Sequence, residues 1–160
     1  MIRTAVYPGT FDPVTYGHLD VIKRASAIYD KVFVAVAHSA EKSVLFTVEE
    51  RIGMMAEAVA GYDNVEVEDF DGLVVDYAVS KSARIVVRGL RMISDFEYEF
   101  QMALTNRKLN CRIETVFMMP NESYSYLSSK LIKEIACLGA DVSSFVPKNV
   151  EKKLKEKLQT

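Results

Sequence analysis

Pro8-Gly9-Thr10-Phe11-Asp12-Pro13-Val14-Thr15-Tyr16-Gly17-His18 is the stretch on which the reading of this chain turns. It follows an apolar run at 2–7 and precedes an amphipathic stretch that begins at Leu19. That makes it the loop where a strand hands over to a helix. In an open α/β sheet, such loops at strand ends carry the ligand site. Gly9 and Gly17 let backbone N–H groups approach an anion closely, and a helix N-terminus adds partial positive charge. His18, at the mouth of that helix, is placed to donate to a phosphate oxygen. The loop fits neither G-x-G-x-x-G nor G-x-x-x-x-G-K-[ST], and neither pattern occurs elsewhere in the chain. This argues against a dinucleotide oxidoreductase and a P-loop NTPase.

Working outward, apolar strand-like runs recur at 2–7, 32–37, 65–68, 84–87 and 113–119. Helical patterns lie between them at about 18–29, 48–60, 73–82 and 95–109, with a further helix near 128–138. Thr47-x-x-Glu50 and Ser94-x-x-Glu97 both fit a capping box, in which side chains satisfy the first free N–H groups of a helix. Gly139 suits the end of the 128–138 helix, and Pro147 the first turn of a final one. Alternation of strands with helices predicts a parallel sheet covered on both faces, and the unbroken apolar character of 32–37 and 85–87 fits strands buried from both sides. The 160 residues suit one domain, with no repeat, linker or compositional break. The expectation is a single doubly wound, Rossmann-like α/β domain over 1–160, with a five-stranded parallel sheet and a helical C-terminal extension at about 140–160.

Composition excludes several classes. A net charge of −2 gives no support to nucleic-acid binding, which needs a broad basic surface. No stretch is long and apolar enough to span a bilayer, and no signal peptide precedes the first strand, so a cytoplasmic location with no membrane partner is expected. Cys111 and Cys137 are too few for a disulfide framework or zinc site and read as reduced thiols with packing roles. With only His18 and His38 present, a histidine-rich metal centre is not expected. The lysine-rich tail at 148–160 carries an apolar stripe of Val150, Leu154 and Leu158, and reads as a packed helix with its lysines in water.

Chemistry-bearing residues cluster where strands end or helices begin. Lys42 lies in the loop after the second strand and suits an anion contact. Arg88-Gly89-Leu90-Arg91 follows the fourth strand directly, and arginine's planar fork matches phosphate oxygens bidentately. The alternative is that both arginines only pair with Asp95, Glu97 or Glu99. Asp95 and Glu99 are four apart and share a helical face, a spacing open to acid–base chemistry or Mg²⁺; orientation of the nearby arginines is the preferred reading. Tyr124-Ser125-Tyr126-Leu127-Ser128-Ser129-Lys130 precedes the next helix, where Ser128 and Ser129 either cap it or present hydroxyl and amide donors to a phosphate. Gly72-Leu73-Val74 follows the third strand at the same sheet edge, its simpler reading being helix start and core packing.

Thr15-x-Gly17-His18, after its Gly-Thr-Phe-Asp-Pro turn, resembles the T/H-x-G-H signature of the nucleotidyltransferase superfamily. The full loop is similar to that of the bacterial phosphopantetheine adenylyltransferase family. Phe46-Thr47-Val48-Glu49-Glu50-Arg51 matches the same family and sets the register of Lys42, although Val44 stands where many relatives carry proline. The segment around Ser128 and Ser129 resembles the superfamily's I-S-S-[ST]-x-[IV]-[RK] signature, departing at Leu127 and at Lys130, where a hydroxyl residue is usual. Five motif blocks stand in order and at family spacing.

The resemblance implies reversible transfer of AMP from ATP to 4′-phosphopantetheine, giving dephospho-coenzyme A and pyrophosphate, by direct in-line attack in coenzyme A biosynthesis. It implies that Thr10, Lys42 and Arg88 hold the attacking phosphate, with Val74 contacting the pantetheine arm through its backbone. His18, Lys42 and Arg91 would be catalytic. Gly9, Thr10, Phe11, His18, Gly89, Leu90, Arg91, Glu99 and the block from Tyr124 to Lys130 (Tyr124, Ser125, Tyr126, Leu127, Ser128, Ser129, Lys130) would form the ATP site. Mg²⁺ would arrive on the ATP phosphates rather than in a protein metal site. A homohexamer and inhibition by coenzyme A are implied as well. The alternatives are a related nucleotidyltransferase with another acceptor, and a nucleotide-binding regulatory module without turnover.

Overall fold

The structure is a computed structural model that describes residues 2–38 and 44–158. Lys42 lies outside the described residues. Five strands form: β1 (Thr4–Gly9), β2 (Lys31–Ala37), β3 (Val65–Phe70), β4 (Ile85–Gly89) and β5 (Glu114–Met118). They alternate with α1 (Tyr16–Ile28), α2 (Val48–Ala58), α3 (Val74–Ser80) and α4 (Ile93–Leu109), and α5 (Ser129–Cys137) and α6 (Lys148–Leu158) follow. Every pairing is parallel and the sheet order is β3-β2-β1-β4-β5. The chain therefore walks from β1 to one edge and then continues on β1's other side. The order reverses between β1 and β4, and a crevice opens there at the carboxyl ends of the strands.

Side-chain alternation assigns the central strands to two cores. Val32, Val34 and Val36 of β2 pack on one face with Tyr7, Val21, Met55 and Leu154, whereas Val6, Phe33, Ala35 and Val86 pack on the other with Val75 and Ile113. Both faces are filled, as the unbroken apolar runs predict. The tail stripe also behaves as expected, with Val150 and Leu154 fully enclosed.

Three expectations are corrected. β1 runs two residues further than the apolar run, because Pro8 and Gly9 keep register with Ala35 and Val36. Proline gives up one donor, yet its carbonyl is used, accepting from Arg88 Nη1 at 2.8 Å. The Ser94–Glu97 capping box does not form. Helix α4 begins one residue before Ser94, with Met92 at the cap and no side-chain cap bond, so Ser94 is already inside the first turn. Cys111 and Cys137 are free thiols but both are exposed, since Cys111 sits in the turn between α4 and β5 and Cys137 at the end of α5; neither packs in the core.

Two buried charges pin the loops at the crevice. Arg51 of α2 is only 2% exposed, and it donates to the carbonyls of Phe46 (3.1 Å), Thr10 (2.7 Å) and Ala37 (2.9 Å). Asp12 accepts from the amides of Leu45 and Phe46, both at 2.9 Å, and from Lys133 Nζ at 2.7 Å. The loop after β1 is thereby tied to the end of β2, to the start of α2 and to α5. Helix α2 is itself well begun: Thr47 and Glu50 cap each other's backbone N–H, as the sequence predicts.

Replacing Arg51 leaves three carbonyls without their donor in a closed environment, each costing about 1–3 kcal/mol. Arg51→Met is expected to lower the unfolding free energy by about 3 kcal/mol or more in urea denaturation. A loss below about 1 kcal/mol would show that water replaces the guanidinium and that the pin is dispensable.

Candidate active site

The crevice between β1 and β4 holds a cleft of about 550 Å³. Gly9, Thr10, Phe11 and His18 line it from the β1 side, Arg88, Gly89, Arg91 and Glu99 from the β4 side, and Leu127, Ser128, Ser129 and Lys130 close it from the start of α5. Most of the residues singled out from the sequence thus meet in one place. Leu90, Tyr124, Ser125 and Tyr126 do not line this cleft. Leu90 is held to Met118 through its amide, Tyr124 packs on Tyr16 and Tyr126 on Phe145, so these residues shape the surroundings instead. Val74 lines an adjoining cavity of about 340 Å³, which shares Pro8, Gly9, Thr10, Arg88, Tyr98 and Glu99 with the cleft. Buried Asn106 and exposed Leu73 also border that second cavity.

His18 is fixed by its position in the helix. Thr15 caps α1 by accepting from the His18 amide at 3.3 Å, and His18 Nδ1 in return accepts from the Thr15 amide at 3.0 Å. This is a capping box in which imidazole replaces the usual Glu or Gln. The sequence reading missed it because the rule asks for Glu or Gln three residues after the cap. A ring nitrogen that accepts carries no proton, so the hydrogen sits on Nε2. Desolvation by burial, with help from Arg91 and then Arg88, pushes the His18 pKa down to about 3. His18 is therefore a neutral N–H donor.

The glycine before it is equally constrained. A Cβ on Gly9 would stand 2.8 Å from Phe11 Cζ, and Phe11 itself has φ +50. Its ring folds back over the glycine and meets the His18 ring edge-to-face, with centroids 5.0 Å apart. A side chain at position 9 would expel Phe11.

The arginines are aimed by carboxylates, as the Asp95 and Glu99 spacing suggests. Arg88 makes a two-point pair with Glu99, at 2.9 Å from Nε and 2.6 Å from Nη2. Burial alone would lower the Arg88 pKa, but the bond and charge of Glu99 outweigh it and leave the value raised. Arg91 reaches Asp95 at 3.3 Å from Nε, and Nη1 donates to the Leu127 carbonyl at 2.5 Å. That last contact ties the β4 exit to the approach of α5.

At α5, both readings of the serines have a part. Ser128 caps the helix by accepting from the Leu131 amide, and Ser129 Oγ donates to the Pro13 carbonyl at 2.7 Å. The hydroxyls are thus engaged in structure. The amides of Ser129 and Lys130, at the first positions of the helix, have no acceptor within it and suit an anion. Lys133 and Asp12, which the sequence reading did not assign, also line the cleft and pair with one another at 2.7 Å. Asp12 stood inside the quoted loop and Lys133 in the helix near 128–138, but only the fold shows that they meet.

The cleft's inventory is a neutral imidazole N–H, two oriented guanidiniums, two lysines and a helix N-terminus, gathered where α/β folds bind nucleotides. No Ser/His/Asp arrangement accompanies it among the described residues. Such a site suits phosphates and offers donors without a covalent nucleophile. The chain belongs to the cytidylyltransferase-like family, whose pattern matches residues 6–135.

Within it, the chain belongs to the phosphopantetheine adenylyltransferases. The protein of that name from Thermodesulfovibrio yellowstonii is 54% identical over 160 residues, with 99% of each chain covered. The one from Caldanaerobacter subterraneus subsp. tengcongensis is 52% identical over 158 residues, again with 99% of each covered. Among solved structures, the bifunctional NMN adenylyltransferase/ADP ribose pyrophosphatase from Francisella tularensis superposes with a TM-score of 0.70 at 17% identity. All of this chain is covered there, and 51% of that longer one, a likeness of fold.

Keeping His18 neutral has a measurable sign. Its folded pKa of about 3 lies below the ordinary value of 6.5, so the unfolded chain binds the proton first as pH falls. The stability is complete above pH 6.5 and lost as pH drops from there toward 3. Nitrogen NMR of the imidazole is expected to show the Nε2–H tautomer unchanged from about pH 8 to about pH 5. A midpoint near the ordinary histidine value would overturn the assignment.

Proposed function

We propose that this protein transfers AMP from ATP to 4′-phosphopantetheine, giving dephospho-coenzyme A and pyrophosphate, a step of coenzyme A biosynthesis. The observation that carries this reading is the pairing of the donor-lined cleft with a second cavity across a shared wall of Pro8, Gly9, Thr10 and Arg88. Two anionic reactants need such adjoining sites. The full-length likeness to phosphopantetheine adenylyltransferases supports this acceptor over other acceptors and over a module without turnover.

The substrate phosphate is already a nucleophile at neutral pH, so no base is required. Its oxygen attacks the α-phosphorus of ATP, the bond to the β-phosphate bridge breaks, and pyrophosphate leaves with the electron pair. What the protein contributes is alignment and stabilisation of shifting charge. Thr10 and Arg88 hold the attacking phosphate, with Lys42 in the same role by resemblance. His18 donates from Nε2 to the α-phosphate as charge builds there. Arg91, Lys130 and the Ser129 and Lys130 amides take the departing phosphates. Glu99 holds Arg88 in place from the wall of the same cleft.

Among the described residues no group of three or more His, Cys, Asp or Glu is placed to hold a metal ion. The carboxylates bordering the cleft are engaged, Asp12 by Lys133, Asp95 by Arg91 and Glu99 by Arg88. This donor set suits Mg²⁺ carried on the ATP phosphates, where it neutralises their charge. The proposal also carries a cytoplasmic location and coenzyme A as a competing ligand of the same cleft. Among the described residues, no helix is long and apolar enough to cross a membrane.

Pyrophosphate release is the direct test, with ATP, Mg²⁺ and 4′-phosphopantetheine, and nicotinamide mononucleotide and glycerol phosphate in parallel. Release only with phosphopantetheine is expected; release with another acceptor overturns the substrate. His18→Ala is expected to lower kcat on the order of 10²–10³-fold, the usual cost of one preorganised donor. Full turnover in that variant would remove His18 from the mechanism.

Helix α4 supports the homohexamer. It leaves Ile93 (92%), Phe96 (46%), Phe100 (47%) and Leu104 (48%) exposed, an apolar surface that copies of the chain would cover. Light scattering is expected to report six chains, and Phe96→Glu with Phe100→Glu a smaller species. A wild-type monomer would dismiss the assembly.

A further inference from the structure

Tyr7 is buried, titratable and so far without a task. It lies on the central strand and is 4% exposed, yet it forms part of the cleft wall. We propose that Tyr7 is a positioning residue for the reaction described above: its ring holds the Phe11 ring against His18, and so sets the direction of the His18 Nε2–H.

The geometry is a series of three rings. Tyr7 meets Phe11 at a centroid separation of 5.3 Å with planes at 74°. Phe11 meets His18 at 5.0 Å and 85°. Both contacts are edge-to-face, the arrangement that aromatic quadrupoles favour at these distances. His18 needs this second restraint. The bond from the Thr15 amide fixes which nitrogen carries the hydrogen, but one bond at Nδ1 still leaves the ring free to pivot about it. A flat ring at its side removes that freedom.

Phe11 in turn needs Tyr7. A φ of +50 is unfavourable for a bulky residue and persists only when the surroundings hold it. The backbone of Gly9 closes one side of the Phe11 ring, so near that a Cβ there would stand only 2.8 Å from Cζ, and Tyr7 supports it from the strand. Tyr7 reaches toward β4, where Gly89 leaves room for its hydroxyl: the oxygen lies 3.6 Å from where a Cβ at position 89 would stand. The phenol therefore spans the crevice at the point where β1 and β4 stop pairing. Burial pushes its pKa up, so it carries no charge to compete with substrate phosphates.

The proposal rests on the adenylyl-transfer reading for its kinetic readout, but the NMR readout does not. Tyr7→Leu is expected to lower kcat at least tenfold while KM for ATP moves less than threefold. Tyr7→Phe, which keeps the ring, is expected to recover kcat to within twofold of wild type. The His18 ring signals of the free protein should shift in Tyr7→Leu and stay in place in Tyr7→Phe. Because the effect runs through Phe11, adding Tyr7→Leu to Phe11→Leu should slow the reaction by less than twofold further. Tyr7→Met serves the same comparison if Tyr7→Leu does not fold. Wild-type kcat in Tyr7→Leu, unmoved His18 signals, or effects that multiply in the double variant would each overturn the proposal. If the wild-type protein turns over no phosphopantetheine, the functional reading fails, and the His18 signals alone decide the role of Tyr7.

Discussion

The cleft depends on Arg51, whose guanidinium enters the interior and gathers three backbone carbonyls. A cation in such a place is costly unless its donors are used. Here they are used to hold the end of β2, the turn after β1 and the start of α2 in one geometry. Asp12 does the same from the opposite side with two amides and Lys133. Neither residue needs to touch a substrate. Without them, the loop that presents Thr10, Phe11 and His18 would have no reason to adopt one shape.

The charges at the cleft divide by their partners. Arg88 and Arg91 are paired with carboxylates of α4 and remain charged while losing freedom of movement. His18 sits beside both cations and is driven to neutrality by burial and by them. The result is a donor that adds no charge to the cleft and cannot lose its orientation by titrating near neutral pH. Positive charge is concentrated on residues that cannot easily lose it, which suits a reaction between two anions.

Much of the site was legible because its parts are short, local and chemically plain. The Gly9 to His18 loop, Arg88-Gly89-Leu90-Arg91 and the Ser128 and Ser129 helix start each declare themselves by residue type at a strand end. The Asp95 and Glu99 spacing even pointed to the nearby arginines as a group, since four residues place both carboxylates on one side of a helix. Illegible were Arg51, the Asp12–Lys133 pair and the Tyr7–Phe11–His18 series. Arg51 and the Asp12–Lys133 pair find their partners 41 and 121 residues away, and the three rings meet only because the backbone turns Phe11 back between them, which no local pattern records. The Ser94–Glu97 box misled for a related reason: the pattern is sufficient for a cap only if the helix starts there, and α4 starts sooner.

By itself the sequence determined the class of fold, the order of strands and helices, the turn chemistry around Gly9 and Gly17, and the family. These follow from periodicity, residue type and contiguous motifs, all of which are local. Only the tertiary structure decided where β1 and β4 part, which protonation state and nitrogen His18 offers, and which carboxylate aims which arginine. Those are properties of burial and of long-range contacts. They come into being when the chain closes on itself, because desolvation and through-space distance have no counterpart in an unfolded sequence.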